Sequence, residues 1–202
     1  GTAAKDISAS LSAAAKIDIA NARSRLGRLL KGSIPIIGSD AEIHVELARH
    51  PVLALRHVDV VPNSLNIDSN RSGIVLTGPN AGGKTITLKT IGLLVLMTQT
   101  GIPLPASDGA RVDWFDTLMA VVGDQQDVSD DLSTFSSHLV GLKTAIDVAG
   151  QNALILLDEI GIGTDPRQGA ALAQAVIESV VNSGARTIVT THYAEVKELA
   201  AN

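Results

Sequence analysis

The chain has 202 residues, 45% apolar and 18% charged, enough for one large globular domain or a domain with a small attachment; this composition excludes a disordered chain. No apolar run approaches the length of a membrane span, and the absence of cysteine excludes disulfides and thiolate metal sites and fits a cytoplasmic setting. A net charge of −5 makes the chain a poor grip on nucleic acid by itself, so any DNA or RNA contact is expected from other segments.

The first residues, Gly1-Thr2-Ala3, carry no start methionine and no secretory signal, so the chain is read as a fragment of a longer protein. Ala3–Leu30 is predicted as one helix, with Leu11, Ala15, Ile19, Ala22, Leu26 and Leu29 forming an apolar stripe and Gly32 and Pro35 stopping it. The stripe suits either a core-packing helix or the end of a long lever or coiled coil. Ile43, Val45 and Leu47 alternate with polar residues as a half-buried strand, followed by a turn at Arg49-His50-Pro51, where His50 is read as a structural hydrogen-bonder. Val58–Val61 and Leu65–Ile67 read as short strands joined at Pro62-Asn63-Ser64. Strands without intervening helices predict an antiparallel subsheet beside a parallel core.

Ile74–Thr77 is a buried strand, and Gly78-Pro79-Asn80-Ala81-Gly82-Gly83-Lys84-Thr85 fits G-x-x-x-x-G-K-[ST] before a helix running to about Gln99. Strand, glycine loop and helix stand in the order that phosphate binding needs. Glycines let backbone N–H groups converge on phosphate oxygens, the helix N-terminus adds positive potential, Lys84 reaches the β- and γ-phosphates, and the Thr85 hydroxyl suits Mg²⁺. The pattern is a strong nucleotide signal.

Gly101, Pro103 and Pro105 end that helix, and Trp114–Val122 holds one further strand. Gly123–Asp131 is polar enough to be surface, either a solvated loop or a switch loop near nucleotide. The next helix opens at Leu132-Ser133-Thr134-Phe135, with Ser133 or Thr134 as N-cap and Phe135, Leu139, Leu142 and Ile146 on one face. Ala153–Leu157 is a continuous apolar strand ending at Asp158-Glu159; an acidic pair there sets one carboxylate near Mg²⁺ and the next near the γ-phosphate. Asp165 and Pro166 read as N-cap and first position of a helix ending near Asn182 and Gly184. Thr187–Thr191 is a third β-branched strand, and His192 at its exit is a candidate γ-phosphate sensor. His44, His57 and His138 carry no comparable context.

Gly78–Thr85, Ser133-Thr134-Phe135, Leu157–Thr164 and Thr190–Tyr193, with Arg49-His50-Pro51 and Val61-Pro62-Asn63, resemble the ATPase domain of MutS-like proteins, in this order over about 150 residues. The resemblance implies an α/β, ABC-class P-loop fold with a mixed central sheet flanked by helices and an antiparallel subsheet. It divides the chain into an N-terminal lever helix, residues 1–32, and an ATPase domain, residues 33–202. Lys84-Thr85, Gly163-Thr164-Asp165-Pro166, Gly169–Ala173 and Thr191–Lys197 are similar to the second MutS subfamily, associated with recombination suppression on branched DNA and with ribosome rescue. Two departures, Ala81 for the usual Thr and Gln168 for a frequent Glu, touch no catalytic role. Many members of that subfamily end in a Smr nuclease domain, to which no residue here is assigned.

By that resemblance ATP and Mg²⁺ are the cofactors. Gly78, Pro79, Asn80, Ala81, Gly82, Gly83, Lys84 and Thr85 cradle the phosphates; Thr85 and Asp158 hold the metal; Glu159 activates water; His192 contacts the γ-phosphate. The adenine would lie near Val60, Val61 and Asn63, where no aromatic residue offers stacking. Ser133 would open a signature helix facing the nucleotide of a second protomer, giving a homodimer with composite sites. The alternatives are a mismatch-repair MutS, a nucleotide-locked dimerisation module, and a transporter domain; against the last, Leu132-Ser133-Thr134-Phe135-Ser136 replaces Leu-Ser-Gly-Gly-Gln.

Overall fold

The computed structural model describes residues 2–56, 59–68, 70–78, 83–123, 131–193 and 196, without the side chains of 2, 3 and 131–135. Among the described residues twelve elements follow in order: α1 (Thr2–Leu29), β1 (Ile43–Ala48), α2 (Pro51–Leu55), β2 (Asn63–Ile67), β3 (Gly73–Thr77), α3 (Lys84–Gln99), β4 (Arg111–Val112), β5 (Thr117–Val121), α4 (Asp131–Val148), β6 (Ala153–Leu157), α5 (Pro166–Asn182) and β7 (Arg186–Thr191).

They form two sheets, not one mixed sheet. The antiparallel sheet has the order β2-β1-β4; the four-stranded sheet has the order β3-β7-β6-β5, with every described pairing parallel. β6 carries no polar residue because both its faces are covered. Leu154 and Leu156 join Ile188, Leu88, Ile91 and Leu94 in a core that reaches β1 and β2. Ile155 and Leu157 point the other way, to Leu142 of α4 and to Ala173, Val176 and Ile177 of α5. α3 thus covers one face of the parallel sheet, and α4 and α5 the other. The core carries the fold: at about 25 cal/mol per Å², each large aliphatic side chain fully buried contributes roughly 1.5–3 kcal/mol.

Several expectations are corrected. Val58–Val61 does not form a strand as described: 59–62 are irregular, residues 57 and 58 lie outside the description, and β2 begins at Asn63, which pairs with Ala48. The expected turn residues Asn63 and Ser64 are therefore in the ladder. Pairing with β1 overrides their weak strand propensity. Arg49-His50-Pro51 is the entry to α2, where His50 Nδ1 accepts the Leu53 N–H at 3.4 Å. α4 starts at Asp131, so Ser133 and Thr134 lie inside its first turn instead of capping it. β4 was not anticipated; two residues are too short for a periodic signal.

α1 forms as expected, but its apolar stripe buries little: Leu11 is 66% and Leu29 73% exposed. The helix is anchored by its C-terminal end. Leu26 and Leu30 pack into the core, Gly27 lies against the Pro103 ring, and Ser33 and Leu104 exchange backbone hydrogen bonds at 2.8 Å. The core-packing alternative therefore holds only for the last turn.

Candidate functional site

β3, β7 and β6 are neighbours and parallel, so Gly78, His192 and Asp158-Glu159 all emerge at one sheet edge, beyond the carboxyl ends of the strands. Open α/β sheets bind ligands there.

From β3 the chain passes through Gly78 into α3, whose N-cap, Gly83, has φ +75° and no side-chain cap. Glycine takes that left-handed conformation without a Cβ penalty. The first turn of α3 contains no acidic residue and so keeps its positive potential. Lys84, only 7% exposed, folds back and donates from Nζ to the Gly78 carbonyl at 2.7 Å. Pro79, Asn80, Ala81 and Gly82 lie outside the described residues.

Asp158 is 2% exposed. Its N–H donates to the Val121 carbonyl at 2.8 Å, which locks it to β5. Its Oδ1 accepts from the Thr85 hydroxyl at 3.1 Å and from the Thr190 hydroxyl at 2.5 Å. Thr190 Oγ1 in turn accepts the Glu159 N–H at 2.9 Å, and the same N–H reaches the Thr190 carbonyl at 3.1 Å. Glu159 itself has φ +49°, a left-handed conformation uncommon for a residue with a side chain. That turn aims its carboxylate across the strand ends: Oε1 stands 2.8 Å from His192 Nε2.

The donor set fits Mg²⁺. A carboxylate and a hydroxyl oxygen already in contact are hard ligands of the kind that ion takes in phosphate sites. A further polar atom nearby, His138 Nε2 on α4, is buried and has no hydrogen-bond partner among the described residues. Burial pushes the His138 imidazole below its ordinary value, against the Asp158 charge, which raises it. Among the described residues one other acidic cluster, Asp40, Glu42 and Asp113, has the spacing of a metal site. It is filled by the Arg111 guanidinium, which pairs with all three carboxylates at 2.7–2.8 Å.

The structure thus gathers Gly78, Gly83, Lys84, Thr85, Asp158, Glu159 and His192. Val60, Val61 and Asn63 are not joined to them by any hydrogen bond or ion pair among the described residues; Val61 is 79% exposed and Asn63 belongs to the antiparallel sheet. Ser133 lies on the helical backbone of α4, with its side chain outside the description; residues 124–130 of the expected switch loop are outside it too. Sequence reasoning missed Thr190. In a β-branched strand a threonine looks like strand propensity alone, and its hydroxyl gains a role only once β7 lies beside β6.

No helix among the described residues is long and apolar enough to cross a membrane. The family described as MutS domain V matches residues 74–202. The chain is also 44% identical over 194 residues to the endonuclease MutS2 of Pelotomaculum thermopropionicum, a match covering 96% of this chain and 24% of that protein. A putative endonuclease MutS2 of Bacillus subtilis is 42% identical over 186 residues, 92% of this chain and 23% of the relative. The endonuclease MutS2 of Geobacillus kaustophilus is 44% identical over 190 residues, 94% and 24% respectively. The chain spans about a quarter of the length of these relatives and corresponds to one segment of them. On the match over residues 74–202 and the identity to these relatives, the chain belongs to the MutS domain V family, in the second MutS subfamily.

Proposed function

We propose that this chain is an Mg²⁺-dependent ATPase domain. The observation that carries the reading is the pairing at one sheet edge of two dyads: Thr85 with Asp158, and Glu159 with His192. The backbone of Gly78–Thr85 and the Lys84 ammonium bind the triphosphate, and the positive end of α3 favours its charge. Thr85 and Asp158 hold the metal, which when bound neutralises phosphate charge. Glu159 orients the attacking water and accepts its proton, and His192, through the Nε2 that meets the Glu159 carboxylate, holds Glu159 in direction beside the γ-phosphate. The base need not be rebuilt on binding, since its backbone and carboxylate are already tied.

A nucleotide lock without turnover would have no use for a half-buried, oriented carboxylate, so Glu159 favours hydrolysis over the binding-module reading. Phosphate release by the wild type and by Glu159→Gln tests the proposal; equal rates would overturn it. The same reading takes the first turn of α4, with Ser133, to the nucleotide of a second chain, giving a homodimer with shared sites. In the parent protein the cycle would drive a machine acting on branched DNA or on ribosomes through other segments, and the endonuclease activity in the relatives' names belongs to no residue assigned here.

A further inference from the structure

The segments leaving β6 and β7 are tied together twice. One tie is the Glu159–His192 pair. The other joins the next residue of each segment able to reach across: the Tyr193 hydroxyl donates to the Gly161 carbonyl at 2.8 Å. Beneath this bond the turn runs backbone against backbone on α5. A Cβ on Gly161 would overlap the Gly169 carbonyl oxygen, and a Cβ on Gly169 would overlap the Tyr193 hydroxyl. Gly161 also has φ +84°, so the turn there is open only to glycine at little cost. The tyrosine hydroxyl thus occupies the volume that a side chain at position 169 would take.

The ring of Tyr193 packs against the core shared by β6, β7 and α5, and its N–H donates to the Thr191 hydroxyl at 3.1 Å. A phenylalanine ring would serve that packing equally well. The hydroxyl is different: it reaches the carbonyl two residues beyond Glu159. Glu159 sits at a left-handed φ, and a side-chain-bearing residue stays in such a conformation only where its surroundings over-determine it. Its N–H is fixed by Thr190, its carboxylate by His192, and the turn that follows it by Tyr193.

We propose that Tyr193 is a positioning residue for hydrolysis: its hydroxyl, through the Gly161 carbonyl, holds the 159–161 turn against the exit of β7 and so keeps Glu159 directed at the reacting water. The inference rests on the ATPase reading given above. It places a hydrogen bond that touches neither nucleotide nor metal in control of the chemical step.

The test is Tyr193→Phe in the full-length protein. Misdirection of a base at fixed binding contacts lowers kcat and spares KM, so kcat should fall roughly tenfold with KM for ATP within about twofold. In a Glu159→Gln background the same substitution should change the residual rate by less than about twofold, because a missing base cannot be misaimed. Amide hydrogen exchange at Glu159, read without nucleotide, should quicken roughly tenfold in Tyr193→Phe. Unchanged kcat together with unchanged exchange overturns the proposal, as does an equal loss of kcat with and without Glu159. Wild-type protein with no turnover overturns the ATPase reading instead, and the exchange measurement then still decides whether the hydroxyl holds the turn.

Discussion

The hydroxyl of Thr190 donates to Oδ1 of Asp158 across 2.5 Å, inside a site where Thr190 has no exposed surface. That single contact joins the exit of β7 to the exit of β6 at the carboxylate proposed to hold the metal. Hydrogen bonds to charged, buried groups are worth about 1.5–3 kcal/mol, more than neutral ones. Thr190→Val keeps the shape and removes the donor. Urea unfolding should show a loss of about 1.5–3 kcal/mol without a change in slope, and Mg²⁺ should be needed at higher concentration for half-maximal turnover. An unaltered midpoint would show that Thr85 suffices for Asp158.

Glu159→Gln retains volume and the backbone bond to Thr190 but cannot accept a proton. Hydrolysis should fall by about 10²–10⁴-fold, with ATP binding preserved. If the first turn of α4 completes the site of a second chain, the trapped ATP should also raise the dimer fraction, while ADP leaves it low. Sedimentation with ATP, ADP and no nucleotide separates the two effects: lost turnover without ATP-dependent dimer keeps the base and discards the shared site.

Lys84→Ala removes a charge-assisted contact to the β- and γ-phosphates, worth about 1.5–3 kcal/mol, so ATP affinity should drop roughly tenfold or more. Titration calorimetry reads this directly, and unchanged affinity would remove Lys84 from the binding site.

Asp113 gives a prediction on pH. Burial pushes its carboxyl up, but the Arg111 hydrogen bond and the backbone N–H groups of Glu42, Asp40 and Gly38 together hold it below its ordinary value of 3.8. The folded protein therefore binds this proton less readily than the unfolded chain. Its contribution to stability is complete above about pH 4 and is lost as pH falls through the lower folded value. Urea midpoints between pH 3 and 6 should show the wild type losing stability on acidification more steeply than Asp113→Asn, which has no such proton to gain. Parallel slopes would place the acid sensitivity elsewhere.

The parallel core was legible because its signals are local. Ala153–Leu157 has no polar residue, and the structure begins and ends the strand there. Asp165 caps α5 from its side chain, as its place before Pro166 foretold. Gly184, at φ +89°, follows the end of that helix. The antiparallel sheet was only half legible. β2 contains Asn63, Ser64 and Asn66, residues that resemble a turn until β1 supplies partners, and β4 is fixed by Ile43 and His44 across the ladder. In the candidate site, the groups with characteristic neighbours in sequence, such as Lys84 and Glu159, are legible as candidates from the chain itself. Thr190 and Tyr193 are bonded to partners about thirty residues away; the family resemblance covers the stretch Thr190–Tyr193, but no local pattern reveals those partners.

The bond from Lys84 Nζ to the Gly78 carbonyl means that a nucleotide bound as proposed would meet an ammonium with at least one of its three N–H donors engaged. A peptide carbonyl takes one N–H donor and carries no net charge, so the ammonium keeps its attraction for an anion whether or not that bond is kept. The tie between Gly78 and Lys84 therefore sets the direction of the side chain before any ligand arrives.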